Sequence, residues 1–158
     1  MKGSTVKLNP GLGCQCGLII GIRSIQSKLI QLVLILINSL ICSGKVELVQ
    51  YIVVNNSLGM GKGKIAAQCS HASVAVLEKV SAAVIDEWKS QGMKKIVLKV
   101  KTTDELLELL ERVKKEFPCA LITDSGRTQV GAGSKTCFAC GPVEESKSQK
   151  YFKDLKLL

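Results

Sequence analysis

The segment MGKGKIAAQCSHA, residues 60–72, decides how the rest of the chain is interpreted. It begins with small residues and two lysines, and it continues as an apolar pattern with the period of an α-helix. An apolar run rich in β-branched residues, VELVQYIVV at 46–54, precedes it and predicts a central strand. A strand, a glycine-rich cationic turn and a helix in this order predict an anion site, because backbone N–H groups at a helix N-terminus attract negative charge.

The sequence after this segment alternates between strand-like and helix-like patterns. Four apolar runs have the length and composition of strands: residues 46–54, 96–100, 119–123 and 135–140. Helical patterns lie between them: residues 64–80, covered on most faces, residues 86–90, and a capped helix from Thr102 that Pro118 ends. This order predicts a single compact α/β domain over residues 46–158, a three-layer α/β/α sandwich with a four-stranded, mostly parallel (mixed) sheet.

Residues 1–45 form a separate N-terminal extension that is hydrophobic and basic. No acidic residue occurs before Glu47, and the apolar run LIQLVLILINSLIC at 29–42 is short for a spanning helix, which needs about 20 residues. Such a segment fits a mitochondrial address, or a membrane anchor acting through residues 18–42. An inert extension is the alternative.

The overall charge and the cysteines limit the possible partners and cofactors. The chain has 22 Lys and Arg against 13 Asp and Glu, a net charge of +9, which favours nucleic acid or an anionic membrane as partner. Seven cysteines include the pair Cys137 and Cys140, but no second ligand pair stands at zinc-finger spacing. We therefore expect buried, reduced thiols, no metal site and no cofactor.

Two segments are expected to meet beyond the C-terminal ends of the strands, where open parallel sheets place their sites. One is residues 60–64, and the other is the loop 124–129 (DSGRTQ). Asp124 can orient a water, or it can simply form a turn by bonding its own backbone.

Lys64, Gln68 and His71 lie on one line of the predicted helix. The lysines can also be solvated charges, and His71 can be a packing residue.

Known nucleotide-binding loops do not match the glycine-rich segment. The Walker A pattern requires a glycine where Leu58 stands and Ser or Thr where Ile65 stands. The GxGxxG pattern fails because Lys64 occupies the position of its last glycine. Nucleotide hydrolysis is therefore disfavoured.

These motifs closely resemble those of the type 2 peptidyl-tRNA hydrolases of archaea and eukaryotes. The resemblance covers residues 48–158 and rests on several short matches in order: MGKGK at 60–64, AAQ at 66–68, HA at 71–72, Asp124, GRTQ at 126–129, GP at 141–142 and LKL at 155–157. Residues 143–153 do not follow the usual family pattern. The resemblance implies a compact α/β fold with a four-stranded mixed sheet, often a homodimer, that hydrolyses the ester between a nascent peptide and the terminal ribose of tRNA without a metal.

The resemblance also implies roles for particular residues. Lys64, Asp124 and Thr128 match the proposed catalytic group of the family, and His71 matches a frequent companion. Asp124 would orient or deprotonate the water, Lys64 would stabilise the oxyanion, and Thr128 would position the water or the ester. Four further residues are expected to bind tRNA: Lys62, Gln68, Arg127 and Gln129.

Some eukaryotic members of this family carry a hydrophobic N-terminal segment that directs them to mitochondria, and they act in cell-death signalling. Residues 1–45 fit that description in character. The expected location is therefore cytoplasmic or mitochondrial, with anchoring in the outer membrane as one form. The alternative function is a membrane- or mitochondria-tethered interaction protein in cell-death signalling that uses the same fold.

Overall fold

The computed structural model describes residues 46–158, together with Ile30 and Val33. Within residues 46–158, five strands and four α-helices follow one another in this order: β1 Leu48–Asn55, α1 Lys62–Ala75, α2 Ala82–Ser90, β2 Lys95–Val100, α3 Thr103–Val113, β3 Cys119–Thr123, β4 Lys135–Glu144, α4 Glu145–Phe152 and β5 Lys156–Leu157. Short 3₁₀ turns follow β1 and α1, at Asn56–Leu58 and Val76–Lys79. The predicted α/β class is confirmed.

The sheet is mixed and has five strands in the order β3-β4-β1-β2-β5. The predicted count of four missed β5, whose two residues pair with the edge of β2 and are too short to give a sequence signal. The prediction that pairing is mostly parallel is corrected, because within residues 46–158 only β1 and β2 pair in parallel. The loop after β3 reverses the chain, so β4 runs antiparallel between β3 and β1.

One apolar cluster packs on each face of the sheet, which gives the predicted three layers. On one face, Leu106 and Val113 of α3 and Phe152 of α4 are buried against the strands. On the other face, Ala72 of α1 and Val76 of the 3₁₀ turn that follows it are buried against the strands. Each fully buried Val, Leu or Phe side chain among them contributes about 1.5–3 kcal/mol to folding through the apolar area removed from water.

Strand β1 is central and is buried on both faces. Val49, Tyr51 and Val53 point into the cluster under α3 and α4, whereas Ile52 and Val54 point into the cluster under α1. All eight residues of the strand are buried. The run of β-branched residues therefore belongs to a strand with helices on both sides, as the sequence predicted.

Two details of the sequence-based assignment are wrong. Helix α1 is not covered on most faces: Ala66, Ala67 and Val74 are exposed, because only one side of the helix packs on the sheet within residues 46–158. Gly141-Pro142 does not end the fourth strand, since β4 continues to Glu144 with a register shift opposite Val49. Helix α4 then follows within residues 143–153, the segment that departs from the family pattern.

The anchor or address predicted for residues 1–45, including the membrane association through residues 18–42, lies outside the described residues. None of the helices in the described part of the chain combines the length and the apolar character that crossing a membrane requires.

The N-terminus of α3 offers a direct test of the fold. Thr102 Oγ1 accepts a hydrogen bond from the Glu105 N–H at 3.1 Å, and Glu105 Oε2 accepts one from the Lys101 N–H at 2.7 Å. Replacing Thr102 by Ala should lower the free energy of unfolding by about 1 kcal/mol, because one helix N–H loses its partner. Urea unfolding measures this loss, and Thr102→Ser should restore most of it. Equal losses in both variants would contradict the capping role.

Candidate active site

The site lies where the N-terminus of α1 meets the loop that follows β3. Lys64 stands in the first turn of α1, and Asp124 is the first residue after β3. The Lys64 Nζ atom donates hydrogen bonds to Asp124 Oδ2 and to Thr128 Oγ1, the latter at 2.9 Å. The side chains of Lys64 and Asp124 are only 12% and 6% exposed. The structure therefore joins the three residues matched to the family's catalytic group.

The Asp124 carboxylate is held from several directions. Oδ2 also accepts a hydrogen bond from Gln68 Nε2 at 2.9 Å, and Oδ1 accepts one from the Gly126 N–H at 2.8 Å. The main chain of Asp124 is fixed as well: its N–H donates to the Ser134 carbonyl, and its carbonyl accepts from the Gly133 N–H. Asp124 therefore forms the backbone-bonded turn that the sequence offered as its alternative role. At the same time it presents its carboxylate to α1.

Thr136 is a site residue that the sequence analysis missed. Its hydroxyl lies 2.7 Å from Gln68 Oε1, and Thr136 is fully buried. A carboxylate can only accept, so Gln68 must turn its NH₂ group toward Asp124 and its carbonyl oxygen toward the Thr136 hydroxyl. Thr136 therefore fixes the orientation of Gln68. The only signal in the sequence was a hydroxyl residue beside the apolar run 137–140 of the predicted strand.

Gly126 permits the tight turn that aims an N–H at Asp124. Its φ is +78°, and a Cβ at this position would lie 2.5 Å from the backbone nitrogen of Ala132. No side chain fits there without a shift of the backbone, and L-residues rarely adopt this φ. The hydrogen bond from Gly126 to Asp124 therefore depends on glycine.

The surroundings of Asp124 favour its ionised form. The pKa of Asp124 is lowered mainly by the hydrogen bond from Lys64, and further by the Gly126 N–H and the Gln68 amide, against a smaller opposing effect of burial. At neutral pH the site therefore contains an ion pair of a carboxylate and an ammonium. Such a carboxylate is a good hydrogen-bond acceptor and a weak base.

The other predicted residues lie around this centre. Gln129 Oε1 accepts a hydrogen bond from the Gly61 N–H at 2.8 Å, which links the two segments of the site. Lys62 and Arg127 are exposed beside them. His71 is exposed too, and within residues 46–158 no hydrogen bond connects it to Lys64, Asp124 or Thr128. Hydrogen bonds thus join Lys64, Gln68, Asp124 and Thr128 in one centre, whereas within residues 46–158 no such bond connects Lys62, Arg127 or His71 to it.

Metal-ligating residues do not cluster in the described part of the chain. Among residues 46–158, no group of three or more His, Cys, Asp and Glu side chains is arranged to hold an ion. The carboxylate of Asp124 has lysine and amide donors as its neighbours, and these are not metal ligands.

The ion pair leads to a prediction about the titration of Asp124. Replacing Lys64 by Met should raise the pKa of Asp124 toward its ordinary value, because the largest cause of the lowered pKa is removed. In the wild type, the lowered pKa stabilises the fold above the ordinary Asp pKa, and this contribution is lost as the pH falls through the lowered value. The variant should lack this contribution. Carbon NMR titration of the Asp124 carboxyl group measures the shift.

Lys62→Met is the matched control for this titration. Lys62 is exposed and precedes Lys64 by two residues, so its loss should leave the pKa of Asp124 unchanged. Equal pKa values of Asp124 in wild type and Lys64→Met would show that the ion pair does not form in solution.

Known proteins are similar in sequence to most of this chain. A family model described as "Peptidyl-tRNA hydrolase PTH2" matches residues 48–158. Proteins named peptidyl-tRNA hydrolase are 50% identical over 113 residues in Methanococcus maripaludis (strain C7), 43% over 110 in Methanothermobacter thermautotrophicus and 45% over 116 in Sulfolobus acidocaldarius. These matches cover 68–69% of this chain and 97–98% of each relative. The chain therefore belongs to the peptidyl-tRNA hydrolase PTH2 family.

Proposed function

We propose that this chain hydrolyses the ester between a peptide and the terminal ribose of tRNA, and releases free peptide and free tRNA. Its membership of the PTH2 family and the printed names of its relatives support this activity. The observation that carries the proposal is the contact of Lys64 with both Asp124 and Thr128, which joins two segments 60 residues apart in sequence.

Asp124 is proposed to hold the attacking water. A carboxylate offers about four acceptor positions, and three are occupied by donors from Lys64, Gln68 and Gly126. The remaining position, on Oδ1, is available to a water hydrogen. Because the pKa of Asp124 is lowered, the carboxylate is better suited to orienting this water than to removing its proton before attack.

Lys64 and Thr128 are proposed to stabilise the developing negative charge. The Thr128 oxygen accepts a hydrogen bond from Lys64, so the O–H of Thr128 remains able to donate to a substrate oxygen. The Lys64 ammonium adds a positive charge at the N-terminus of α1, where helix N–H groups already favour anions.

The reaction then requires few groups. The water oxygen bonds to the ester carbon, and the carbonyl electron pair moves to the oxygen that Lys64 and Thr128 stabilise. When this intermediate collapses, the bond to the ribose oxygen breaks. The proton lost by the water is finally taken up by that ribose oxygen, so charge and atoms balance.

Gln68 is proposed to act as a positioning residue, in place of the predicted contact with tRNA. It is only 6% exposed, and its two amide ends face Asp124 and Thr136. For Gln129 we retain the contact with tRNA and add a second role, because it holds the turn at Gly61. His71 keeps its predicted role as a companion of the catalytic group.

Lys62 and Arg127 are proposed to hold phosphates of the acceptor end of tRNA. Both are exposed and flank the site from its two segments, and the chain carries a net charge of +9. Exposed cations bind phosphate at little desolvation cost, and this binding weakens with salt as counterions compete.

The homodimer, the mitochondrial or outer-membrane location and the alternative role in cell-death signalling stay predictions. No contact within residues 46–158 specifically favours the alternative role. The enzymatic function requires only the residues described above.

Turnover of an N-acetylated aminoacyl-tRNA tests the catalytic assignment. In the full chain, Asp124→Asn and Lys64→Met should each lower kcat on the order of 10²–10⁴-fold, because one loses the acceptor for water and the other the charge on the oxyanion. Thermal melts should show that both variants stay folded. The exposed Lys89→Met, on α2, is the charge-matched control and should keep wild-type turnover. A folded Asp124→Asn variant with near-normal kcat would refute the assignment.

The salt dependence of tRNA binding tests Lys62 and Arg127 separately from catalysis. Replacing either one by Ala should weaken binding and make the slope of log K against log salt shallower by about one, since one phosphate contact is lost. Filter binding of uncharged tRNA at several salt concentrations measures the slope. Lys89→Ala controls for the loss of one exposed charge, and a slope unchanged from wild type in both site variants would exclude these contacts.

A further inference from the structure

Two cysteines face each other across neighbouring strands, away from the site described above. Cys119 of β3 is the register partner of Cys140 of β4. Both are free thiols, 7% and 0% exposed. The proposed hydrolysis uses neither residue.

Opposite residues in an antiparallel ladder alternate between a longer and a shorter Cα–Cα separation, and this pair has the shorter one. The Gly141 N–H donates to the Pro118 carbonyl at 3.0 Å, and this bond flanks the cysteine pair, so Cys119 and Cys140 form a non-hydrogen-bonded pair. The Cα atoms of such a pair lie about 4.5 Å apart, within the range of about 4.4–6.8 Å that disulfides span. The backbone therefore needs no large movement to accommodate a bond between the sulfurs.

The two thiols share one face of the sheet, and the other cysteine of β4 does not. Cys119 and Cys140 belong to the apolar cluster under α3 and α4, whereas Cys137 belongs to the cluster under α1. Side chains alternate between faces along a strand, so Cys137 cannot replace Cys140 as the partner of Cys119.

Cys119 is the more accessible and the more reactive thiol of the pair. It lines a surface cavity of about 410 Å³ whose rim includes Lys79 and Lys114. The pKa of Cys119 is lowered by the hydrogen bond from the Cys140 thiol and by the charge of Lys79, whereas the pKa of Cys140 is raised by the same hydrogen bond and by burial. An oxidant that enters the cavity therefore meets the thiol that ionises more readily.

We propose that Cys119 and Cys140 are a site of reversible oxidation that closes to a disulfide between β3 and β4. With a hydroperoxide as oxidant, the Cys119 sulfur attacks the O–O bond and becomes a sulfenic acid, and an alcohol or water leaves. The Cys140 sulfur then attacks the Cys119 sulfur, the S–S bond forms and water leaves. The two thiols lose two electrons and two protons, and the hydroperoxide is reduced by two electrons.

The disulfide would link the two ends of the segment 119–140, which carries half of the proposed active site. Residues 119–140 include Asp124, Thr128 and Thr136, so the disulfide would tie the two strands on either side of them. A crosslink over about 20 residues restricts the unfolded chain, and it should raise the Tm by roughly 5–15 °C.

Peptide mapping of the oxidised full chain tests the site. The purified protein is treated with hydrogen peroxide, its remaining thiols are blocked with N-ethylmaleimide, and it is digested with trypsin without reduction. The expected product is peptide 116–127 linked to peptide 136–147, with Cys137 carrying maleimide and Cys140 in the bond. Dithiothreitol should separate the two peptides.

Single substitutions separate this pair from the other cysteines. Cys69→Ser should keep the crosslink, since Cys69 lies on α1, and Cys140→Ser should abolish both the crosslink and the rise in Tm. Mapping of the wild type tests the assignment even where a variant folds poorly. Maleimide on both Cys119 and Cys140 after Cys69 has been oxidised would overturn the proposal. A link from peptide 116–127 to any other cysteine would also overturn it.

Discussion

The ion pair of Lys64 and Asp124 is the interaction on which the proposed chemistry depends. It connects a helix that follows one strand with a loop that follows another, and a third strand lies between these two in the sheet. Two opposite charges largely removed from water require partners around them. Here Gln68, Gly126 and Thr128 provide hydrogen bonds to the pair, so its two charged groups are fixed in direction. The same arrangement leaves one carboxylate position and one hydroxyl for a substrate and its water.

Much of the fold was predictable because local patterns agree with long-range packing. The β-branched run of β1, the capping residues before α3 and the strand-like run of β3 each gave a strong signal over a few residues. The order and direction of the strands gave no such signal. Whether β4 returns beside β3 or crosses over depends on contacts between residues far apart in sequence, and the two residues of β5 are held by their neighbour rather than by their own preference.

The sequence predicted which segments form the site better than it predicted the contacts inside the site. Helical spacing placed Lys64 and Gln68 on one line of the helix, and the structure has both in contact with the carboxylate of Asp124. Spacing could not show that Thr136 would lie beneath Gln68 and turn its amide, because that contact joins residues 68 positions apart. It also could not distinguish His71, one turn further along the same line, from residues that reach the centre.

The central position of β1 has a consequence for the synthesis of the protein itself. This strand is among the first elements of the domain to be translated, yet one of its two neighbours, β4, is completed only at Glu144, near the end of the chain. Pairing over such a separation carries a large loop-closure cost and cannot begin before both strands have left the ribosome. One edge of β1 therefore stays unpaired until β4 has been translated. The proposed hydrolytic centre, which needs Thr136 from that later strand, can form only after β4 has been translated.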